Sequence, residues 1–140
     1  MADYVVDTSI VIQELFQEKY TEYVRRFFAR LASGDKFYIP EFCLVECTNV
    51  LWKHVRFDSM PQGEAEILIG DLLHLPFITA SIEELLPRAL QIGLAHKLAI
   101  YDSIYIAVAE KYKYPLITAD AKQETAARTV GITIKPIADF

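Results

Sequence analysis

Short apolar segments alternate with longer amphipathic segments along the whole chain, and this alternation constrains the fold more than any other feature. The short segments are rich in valine, isoleucine and aromatic residues, as buried strands are. They occupy residues 3–6, 36–39, 77–79, 116–118 and 133–136. Short buried strands separated by helices predict an α/β fold, here a three-layer α/β/α sandwich around a mostly parallel central sheet.

Helices are predicted between the strands, at residues 10–16, 21–32, 41–57, 61–73, 81–97, 102–112 and 122–130. Ser81 and Glu84 have the spacing of a capping box at the start of the fifth helix. Pro87 allows a second interpretation, in which that helix begins at the proline or kinks there. No repeat, low-complexity stretch or linker interrupts the pattern, so we expect one domain spanning residues 1–140.

Composition and charge exclude several classes of protein. Hydrophobic residues make up 53% of the chain, which excludes a disordered protein. The net charge of −5 excludes a broad electrostatic footprint for nucleic acid, so any such contact must be local, brief or mediated by a metal ion. The sequence shows neither the series typical of a signal peptide nor an apolar run of membrane-spanning length. We therefore expect a cytoplasmic protein with no membrane partner.

Four acidic residues have unusual positions in this pattern. Asp7 and Asp120 each follow a predicted strand, and Asp102 opens a predicted helix. In parallel sheets, ligands bind beyond the carboxyl ends of the strands, which is where Asp7 and Asp120 lie. Glu46 lies within an apolar helix and has no basic residue within four positions on either side. We therefore expect these four carboxylates to form one cluster.

Three of these acids also have a purely structural interpretation when each is taken alone. Asp7 and Asp102 stand where acidic side chains cap or stabilise helix N-termini, and Asp120 stands where turns begin. Glu46 is harder to explain in this way, because a solvated glutamate would lie among polar neighbours rather than between Val45 and Cys47. The sequence alone leaves both interpretations open for each of the three aspartates.

A cluster of carboxylates needs a compensating charge. Two like charges about 4 Å apart repel by roughly 4 kcal/mol at an effective dielectric constant near 20, and each raises the pKa of the other. Mg²⁺ or Mn²⁺ would supply the opposite charge, and both accept oxygen ligands. Such an ion activates bound water and neutralises charge that develops on a phosphate. No reactive cysteine, His–Asp pair or glycine-rich phosphate loop competes for this role, so phosphodiester hydrolysis is the favoured chemistry.

Four motifs occur in order along the chain: VVDTS at 5–9, Glu46 followed by Asn49, YDSIYIA at 101–107 and LITAD at 116–120. With these motifs the chain resembles, over essentially its full length, the PIN-domain ribonucleases, especially the short toxins of the VapC type. Each motif is weak alone, whereas the four together are specific.

The resemblance implies which residues form the site. Asp7, Glu46, Asp102 and Asp120 would be the metal-binding and catalytic acids, and the site would be lined by Ser9, Asn49 and Thr118. It also implies an endoribonuclease that depends on Mg²⁺ or Mn²⁺ and acts on RNA, a homodimer, and often an antitoxin encoded beside the toxin. Ala121 departs from the basic or polar residue that many members carry after the last acid, which leaves the contacts to substrate less well specified than the metal ligands.

Other residues are assigned by their surroundings in the sequence. We expect Cys43, Cys47 and Trp52 to pack in the core, because their neighbours are apolar. Basic side chains that could meet RNA, or that simply face solvent, are Lys53, His54, Arg56, Lys97, Arg25, Arg26 and Arg30. The segments 21–32 and 61–75 hold more apolar residues than one core-facing stripe requires. A second copy of the chain, or an antitoxin, is expected to cover the excess.

Two other functions are compatible with the sequence. A catalytically silent PIN-like module would bind RNA or protein through the same fold, since a fold does not imply an activity. A phosphoacceptor signalling domain also places aspartates at strand ends and a Thr-Ala pair after a strand, but it needs a lysine after a later strand, and Lys135 is a poor candidate.

Overall fold

The computed structural model describes residues 1–16 and 21–140 of the chain. Across those residues, one sheet of four parallel strands is present, with the spatial order β3-β2-β1-β4. The strands are β1 (Asp3–Val6), β2 (Lys36–Pro40), β3 (Ile78–Ala80) and β4 (Leu116–Ile117). The sheet therefore grows from β1 towards β3 on one side, and the last strand returns to pair with β1 on the other side.

Two layers of helices cover the sheet, which confirms the predicted α/β/α sandwich. In the described residues the α-helices are α1 (Thr8–Phe16), α2 (Thr21–Ala29), α3 (Phe42–Phe57), α4 (Gln62–His74), α5 (Leu86–His96), α6 (Ile100–Tyr112) and α7 (Ala121–Val130). Helices α1 to α4 contact one another and form one group. In the other group, α5 and α7 pack on α6, and α6 contacts β1, β2 and β4.

Helix α6 is the centre of the core. Seven successive residues, 103–109, are buried, as expected for a helix that is apolar on all sides. On the opposite side of the sheet, an aromatic cluster joins α2 to the strands. The Phe27 and Phe37 rings stack with centroids 4.1 Å apart, and Tyr4 meets both rings edge to face. Strand β1 therefore lies between the helical layers, with α6 on one side of it and the aromatic cluster on the other.

The fifth helix begins later than the capping-box pattern predicts, so that prediction is wrong. Residues Glu83–Leu85 form a short 3-10 helix, its flanking residue Ile82 makes no capping hydrogen bond through its side chain, and α5 begins at Leu86. The reason is Pro87, which lacks the N–H that would bond the carbonyl of Glu83 in a continuous α-helix. The alternative interpretation, a helix that begins near the proline, is confirmed.

The predicted last strand is also reduced. Ile134 forms only an isolated parallel bridge with Leu116, which donates its N–H to the carbonyl of Thr133 and accepts from the N–H of Lys135. Pro136 has no N–H with which to extend the ladder. The chain then enters a 3-10 helix at Ile137–Asp139.

The apolar surplus lies in different places from those predicted. On α2, Val24, Phe27 and Phe28 are buried in this chain's own core, so the expectation of a surplus on that helix is wrong. On α4, Ile67 and Leu73 are exposed as expected. An unpredicted stripe of exposed leucines, four residues apart, runs along α5 at Leu86, Leu90 and Leu94.

No single helix among the described residues is long and apolar enough to cross a bilayer. The pair 83–96 and 100–112 reaches the required length and composition only when taken together, and the two helices are bent by 117° relative to each other.

Candidate active site at the carboxyl edge of the sheet

The strand order creates a crevice beside β1. The chain moves from β1 to β2 and β3 in one direction and then returns to β4 on the other side of β1. Ligands in open α/β sheets bind at such a reversal, beyond the carboxyl ends of the strands. Asp7 follows β1 directly, and Thr118 and Asp120 follow β4. Two of the four predicted acids therefore lie at the switch point of the sheet.

Asp7 is the most deeply buried of the four acids. Its Oδ2 accepts hydrogen bonds from the backbone N–H of Ser9 at 3.1 Å and from the hydroxyl of Thr118 at 3.2 Å. Burial raises the pKa of the Asp7 carboxyl above its usual value, and hydrogen bonds from Ser9, Thr118 and Gln123 offset part of that shift. The bond to Ser9 also caps α1, so the structural interpretation of Asp7 is confirmed, and its catalytic role stays a prediction.

Hydroxyl groups connect the ends of β1 and β4. The Ser9 and Thr118 hydroxyls lie 3.4 Å apart, and Ser9 Oγ accepts the backbone N–H of Ala119 at 3.0 Å. Thr118 Oγ1 accepts the backbone N–H of Asp120 at 3.0 Å while it donates to Asp7. Ser9 and Thr118 therefore connect the two walls of the crevice, and their role in a functional site stays a prediction.

Glu46 reaches this region from α3. Its Oε1 accepts hydrogen bonds from the hydroxyls of Thr8 and Tyr105, both at 2.9 Å, and those hydroxyls lie 2.7 Å apart. Burial raises the pKa of Glu46, the two hydrogen bonds lower it, and the charges of Asp7 and Asp102 raise it further. The charge of Glu46 is therefore coupled to two of the other acids, although it comes from a different element.

Asp102 lies in the first turn of α6, where Ala99 is the N-cap residue. Burial raises the pKa of Asp102, as do the charges of Asp7 and Asp120, whereas Lys122 lowers it. The first-turn interpretation is confirmed, and the interpretation of Asp102 as the N-cap is wrong. Its carboxyl group therefore lies near those of Asp7 and Asp120, in the same acidic crevice.

Asp120 is the N-cap of α7, and its Oδ1 accepts the backbone N–H of Gln123 at 2.9 Å. Like Asp7, Asp120 caps a helix and also lies close enough to Asp102 to raise the pKa of its carboxyl group. The positive ends of α1 and α7 therefore lie beside carboxylates, which offsets part of their mutual repulsion.

Gln123 is a member of this site that sequence reasoning missed. Its side chain is fully buried, and its Nε2 donates to the backbone carbonyl of Asp102 at 3.1 Å and, over a longer 3.5 Å, to Oδ1 of Asp7. Its backbone N–H is bonded to Asp120, so this one residue contacts three of the four acidic positions. The available signal was the spacing Asp-x-x-Gln, which is typical of a helix start. Here the side chain does not reach back to the cap but crosses to α6 and β1.

Asn49 and Trp52 lie on the exposed face of α3. Asn49 is exposed and borders a cavity beside Glu46, and its place in the functional site stays a prediction. Trp52 is 55% exposed, so the prediction that it packs in the core is wrong. Its apolar neighbours in sequence misled the prediction because Cys47 and Leu51 alone occupy the buried side of this part of the helix. Cys43 and Cys47 are buried and free, as predicted.

The candidate basic residues are divided between paired and open positions. Arg26 pairs with Glu22, Arg30 with Asp35, and His54 lies 3.4 Å from Asp58. Lys53, Arg56, Lys97 and Arg25 are exposed. Lys53 follows Asn49 by four residues and Glu46 by seven, which places it on the same side of α3 as the site.

The donor chemistry of the crevice fits a hard divalent cation. Its groups are carboxylate and hydroxyl oxygens, and neighbouring acids raise the pKa values of Glu46 and Asp102, whereas Lys122 lowers that of Asp102. Within residues 1–16 and 21–140, however, no three Asp, Glu, His or Cys side chains are close enough together to form an ion's ligand shell. The side chains are thus assembled at one edge but not drawn together as ligands.

The family profile of the PIN domain matches residues 4–129. The chain belongs to the PIN domain family. One relative is the protein named Ribonuclease VapC3 of Pyrobaculum aerophilum, which is 29% identical over 120 residues, covering 83% of this chain and 88% of the relative. This membership leaves the phosphoacceptor interpretation without support.

Solved structures show the same fold at low sequence identity. PAE2754 from Pyrobaculum aerophilum superposes with a TM-score of 0.72 at 18% identity, covering 99% of this chain and 91% of that one. VapBC2 from Rickettsia felis, solved with a DNA fragment from its promoter, gives a TM-score of 0.69 at 16% identity, covering 96% and 98%. These similarities establish the PIN architecture over nearly the whole chain.

The Gln123→Met substitution tests whether Gln123 positions the acids. It removes the amide that bonds the Asp102 carbonyl and Asp7, and we expect it to weaken Mn²⁺ binding, measured by calorimetry, about 10- to 100-fold, as losses around metal ligands do. Gln13→Met is the matched control, because Gln13 is also buried with an unbonded Oε1. Equal Mn²⁺ affinity in the two variants would contradict the assignment.

The Asp7→Asn substitution tests the cost of the buried charge. Because burial raises the pKa of Asp7, the stability that this group contributes is present below its unfolded value near 3.8 and is lost as pH rises through the folded value. In a chelator at pH 7, Asp7→Asn should therefore melt at a higher temperature than the wild type. The difference should vanish below about pH 4.

The exposed Asp71→Asn is the control for this comparison, and it should melt like the wild type at both pH values. A melting temperature for Asp7→Asn that is lower than that of the wild type at pH 7 in chelator would show that the carboxylate is not strained by burial.

Proposed function

We propose that this protein is a metal-dependent endoribonuclease of the VapC type, the toxin of a toxin–antitoxin pair. The observation that carries the proposal is the set of coupled carboxylates at the β1/β4 switch point, in which Asp7 and Asp102 raise the pKa of Glu46 and Asp7 and Asp120 raise that of Asp102. A fold that builds this set from four separate elements has a use for concentrated negative charge.

The comparisons support the same reading. A relative that aligns with 83% of the chain carries the name ribonuclease, and a fold neighbour is a VapBC complex. We therefore take RNA as the substrate and an antitoxin as a partner. We also propose, as the sequence predicts, that residues 1–140 form one domain and that the protein is cytoplasmic.

The net charge of −5 explains why a cation belongs in the proposal. An RNA phosphate that approaches the carboxylate crevice would be repelled, and the net negative charge of the chain does not offset that repulsion. We propose that Asp7, Glu46, Asp102 and Asp120 hold Mg²⁺ or Mn²⁺. When bound, such an ion activates water and neutralises charge on the phosphate.

The chain's own groups then have separate tasks. Thr118 and the N–H of Ser9 fix Oδ2 of Asp7, and the Thr8 and Tyr105 hydroxyls fix Oε1 of Glu46. Gln123 fixes the start of α6 relative to α7. The carboxylates of Asp7 and Glu46 are therefore preorganised by hydrogen bonds, and their remaining lone pairs are available to a cation.

A catalytically silent PIN module is the second candidate. The observation that favours it is that no three acidic, histidine or cysteine side chains in the described ranges form a ready ligand shell. In that case the crevice would bind RNA or a protein without cleaving it. Cleavage assays distinguish the two candidates.

We also propose a homodimer. The exposed stripe of Leu86, Leu90 and Leu94 on α5 suits contact with a second copy, because a leucine stripe crossed by its own two-fold mate is self-complementary. A separate apolar cavity of about 320 Å³ lies between α3 and α4, with Trp52 and Ile69 in its wall. We assign this second surface to the antitoxin.

Cleavage of RNA is the first test. Purified chain, free of antitoxin, should cleave members of a broad RNA panel with Mg²⁺ or Mn²⁺ and lose the activity in EDTA. Asp102→Asn should reduce the rate by at least about 100-fold, because several kcal/mol of transition-state stabilisation are lost. Asp71→Asn, an exposed acid on α4, should retain it.

The outcomes of that assay separate the candidates. If the wild type cleaves no RNA with either metal, the silent-module function replaces the nuclease. If cleavage persists in EDTA and in Asp102→Asn, the metal-dependent mechanism is wrong.

Light scattering tests the dimer. At micromolar concentration the wild type should have twice the 16.0 kDa mass of one chain, and Leu90→Glu should reduce it to the monomer because a charge enters the centre of an apolar contact. Ile67→Glu, an exposed apolar residue on α4, should remain a dimer. A wild type of monomer mass would refute the dimer, and the α5 stripe would then be open to an antitoxin.

A further inference from the structure

A cavity of about 340 Å³ opens beside Glu46, between the first turns of α3 and the start of α6. Its walls are Phe42, Val45, Glu46, Asn49 and Tyr101. The volume is at the lower end of the range for small-molecule sites, so it suits a single planar group rather than an extended ligand. None of the interactions proposed above for catalysis uses this space except through Glu46.

The aromatic wall is fixed at its base and open at its mouth. Phe42 meets the fully buried Tyr105 edge to face at 5.7 Å, and it meets Tyr101 edge to face at 5.4 Å. Tyr101 is nevertheless 59% exposed. An aromatic side chain with more than half of its surface exposed is able to stack on another planar ring.

The polar groups of the cavity favour a neutral ligand with hydrogen-bonding edges. Glu46 is the charged group in the wall, and its carboxylate would repel a phosphate. Asn49 lies one turn further along α3 and is exposed, and its amide supplies both donors and an acceptor. A nucleobase has these properties, because it is planar, uncharged and lined with donors and acceptors.

Basic side chains continue the same side of α3. Lys53 is four residues beyond Asn49, and Arg56 is three residues beyond Lys53, so the three recur with helical spacing. Both basic residues are exposed. A nucleotide whose base enters the cavity can therefore place its flanking phosphates towards positive charge and away from Glu46.

We propose that this cavity binds one unstacked base of single-stranded RNA, with Tyr101 as the stacking surface and Asn49 in contact with the base edge. The inference rests on the proposed ribonuclease function and specifies its substrate as single-stranded RNA. Because Tyr101 directly precedes Asp102 and the cavity shares Glu46 with the acidic crevice, the base belongs to a nucleotide next to the cleaved bond.

A thermodynamic cycle between protein and RNA tests this assignment. Steady-state cleavage is measured for an RNA that the wild type cleaves and for copies in which one base at a time is replaced by an abasic residue. In the wild type, one abasic position beside the cleaved bond should raise KM roughly fivefold to a hundredfold, the effect of losing one base–aromatic stack.

Tyr101→Ala should raise KM for the intact RNA by a similar factor with kcat little changed, and the abasic position should then have no further effect. Tyr101→Phe keeps the ring and should behave as the wild type. Leu73→Ala is the control, because Leu73 is also an exposed apolar residue but lies on α4, outside the cavity. It should leave KM unchanged.

Three results would overturn the inference. If the wild type cleaves RNA and the effects of Tyr101→Ala and the abasic residue are additive, the base site is wrong while the nuclease stands. If Tyr101→Ala instead converts a dimer to a monomer in light scattering with no coupling to an abasic position, the cavity is an interface between copies. If the wild type neither binds nor cleaves RNA, the base site and the proposed function fail together.

Discussion

The burial of a carboxylate at the carboxyl end of β1 is the constraint on which the rest of the site depends. Asp7 is buried in the crevice between β1 and β4, where desolvation raises its pKa, and it is kept in place by hydrogen bonds from the first turn of α1, from Thr118 and, at longer range, from Gln123. Each of those donors belongs to a different part of the fold, so the Asp7 carboxylate connects the end of the sheet to α1 and α7. Burial of this carboxylate carries a desolvation cost, which the hydrogen bonds offset in part.

The acidic side chains around Asp7 concentrate negative charge in the crevice. Asp102 and Glu46 are close enough to Asp7 for its charge to raise their pKa values. Among the described residues, Lys122 acts in the opposite direction and lowers the pKa of Asp102. A substrate phosphate therefore meets repulsion at the crevice unless a cation is bound. The exposed Lys53 and Arg56 on α3 offer positive charge about two and three helical turns beyond Glu46, so the proposed RNA path is local rather than spread over the surface.

Much of the fold was predictable because local and global preferences agree. The four paired strands and the buried α6 follow from apolar runs of the right length, and Asp7 and Asp120 follow from their places after strands. Other features depend on tertiary geometry that a single sequence does not specify. Gln123 looks like an ordinary residue in a helix start, yet its side chain crosses to α6 and β1. Trp52 looks apolar by its neighbours, yet it faces out. Ser81 looks like a cap, yet Pro87 prevents the helix from reaching it.

The central claim is that the four acids act together around one cation-binding crevice. Crystals soaked in Mn²⁺ and measured for anomalous scattering test this claim most directly. The account predicts an anomalous peak within bonding distance of an Asp7 carboxylate oxygen, with at least one of Asp102, Asp120 and Glu46 also bound directly or through water. A fully loaded crystal with no peak at the β1/β4 edge, or with Mn²⁺ bound only to other surface acids, would contradict it.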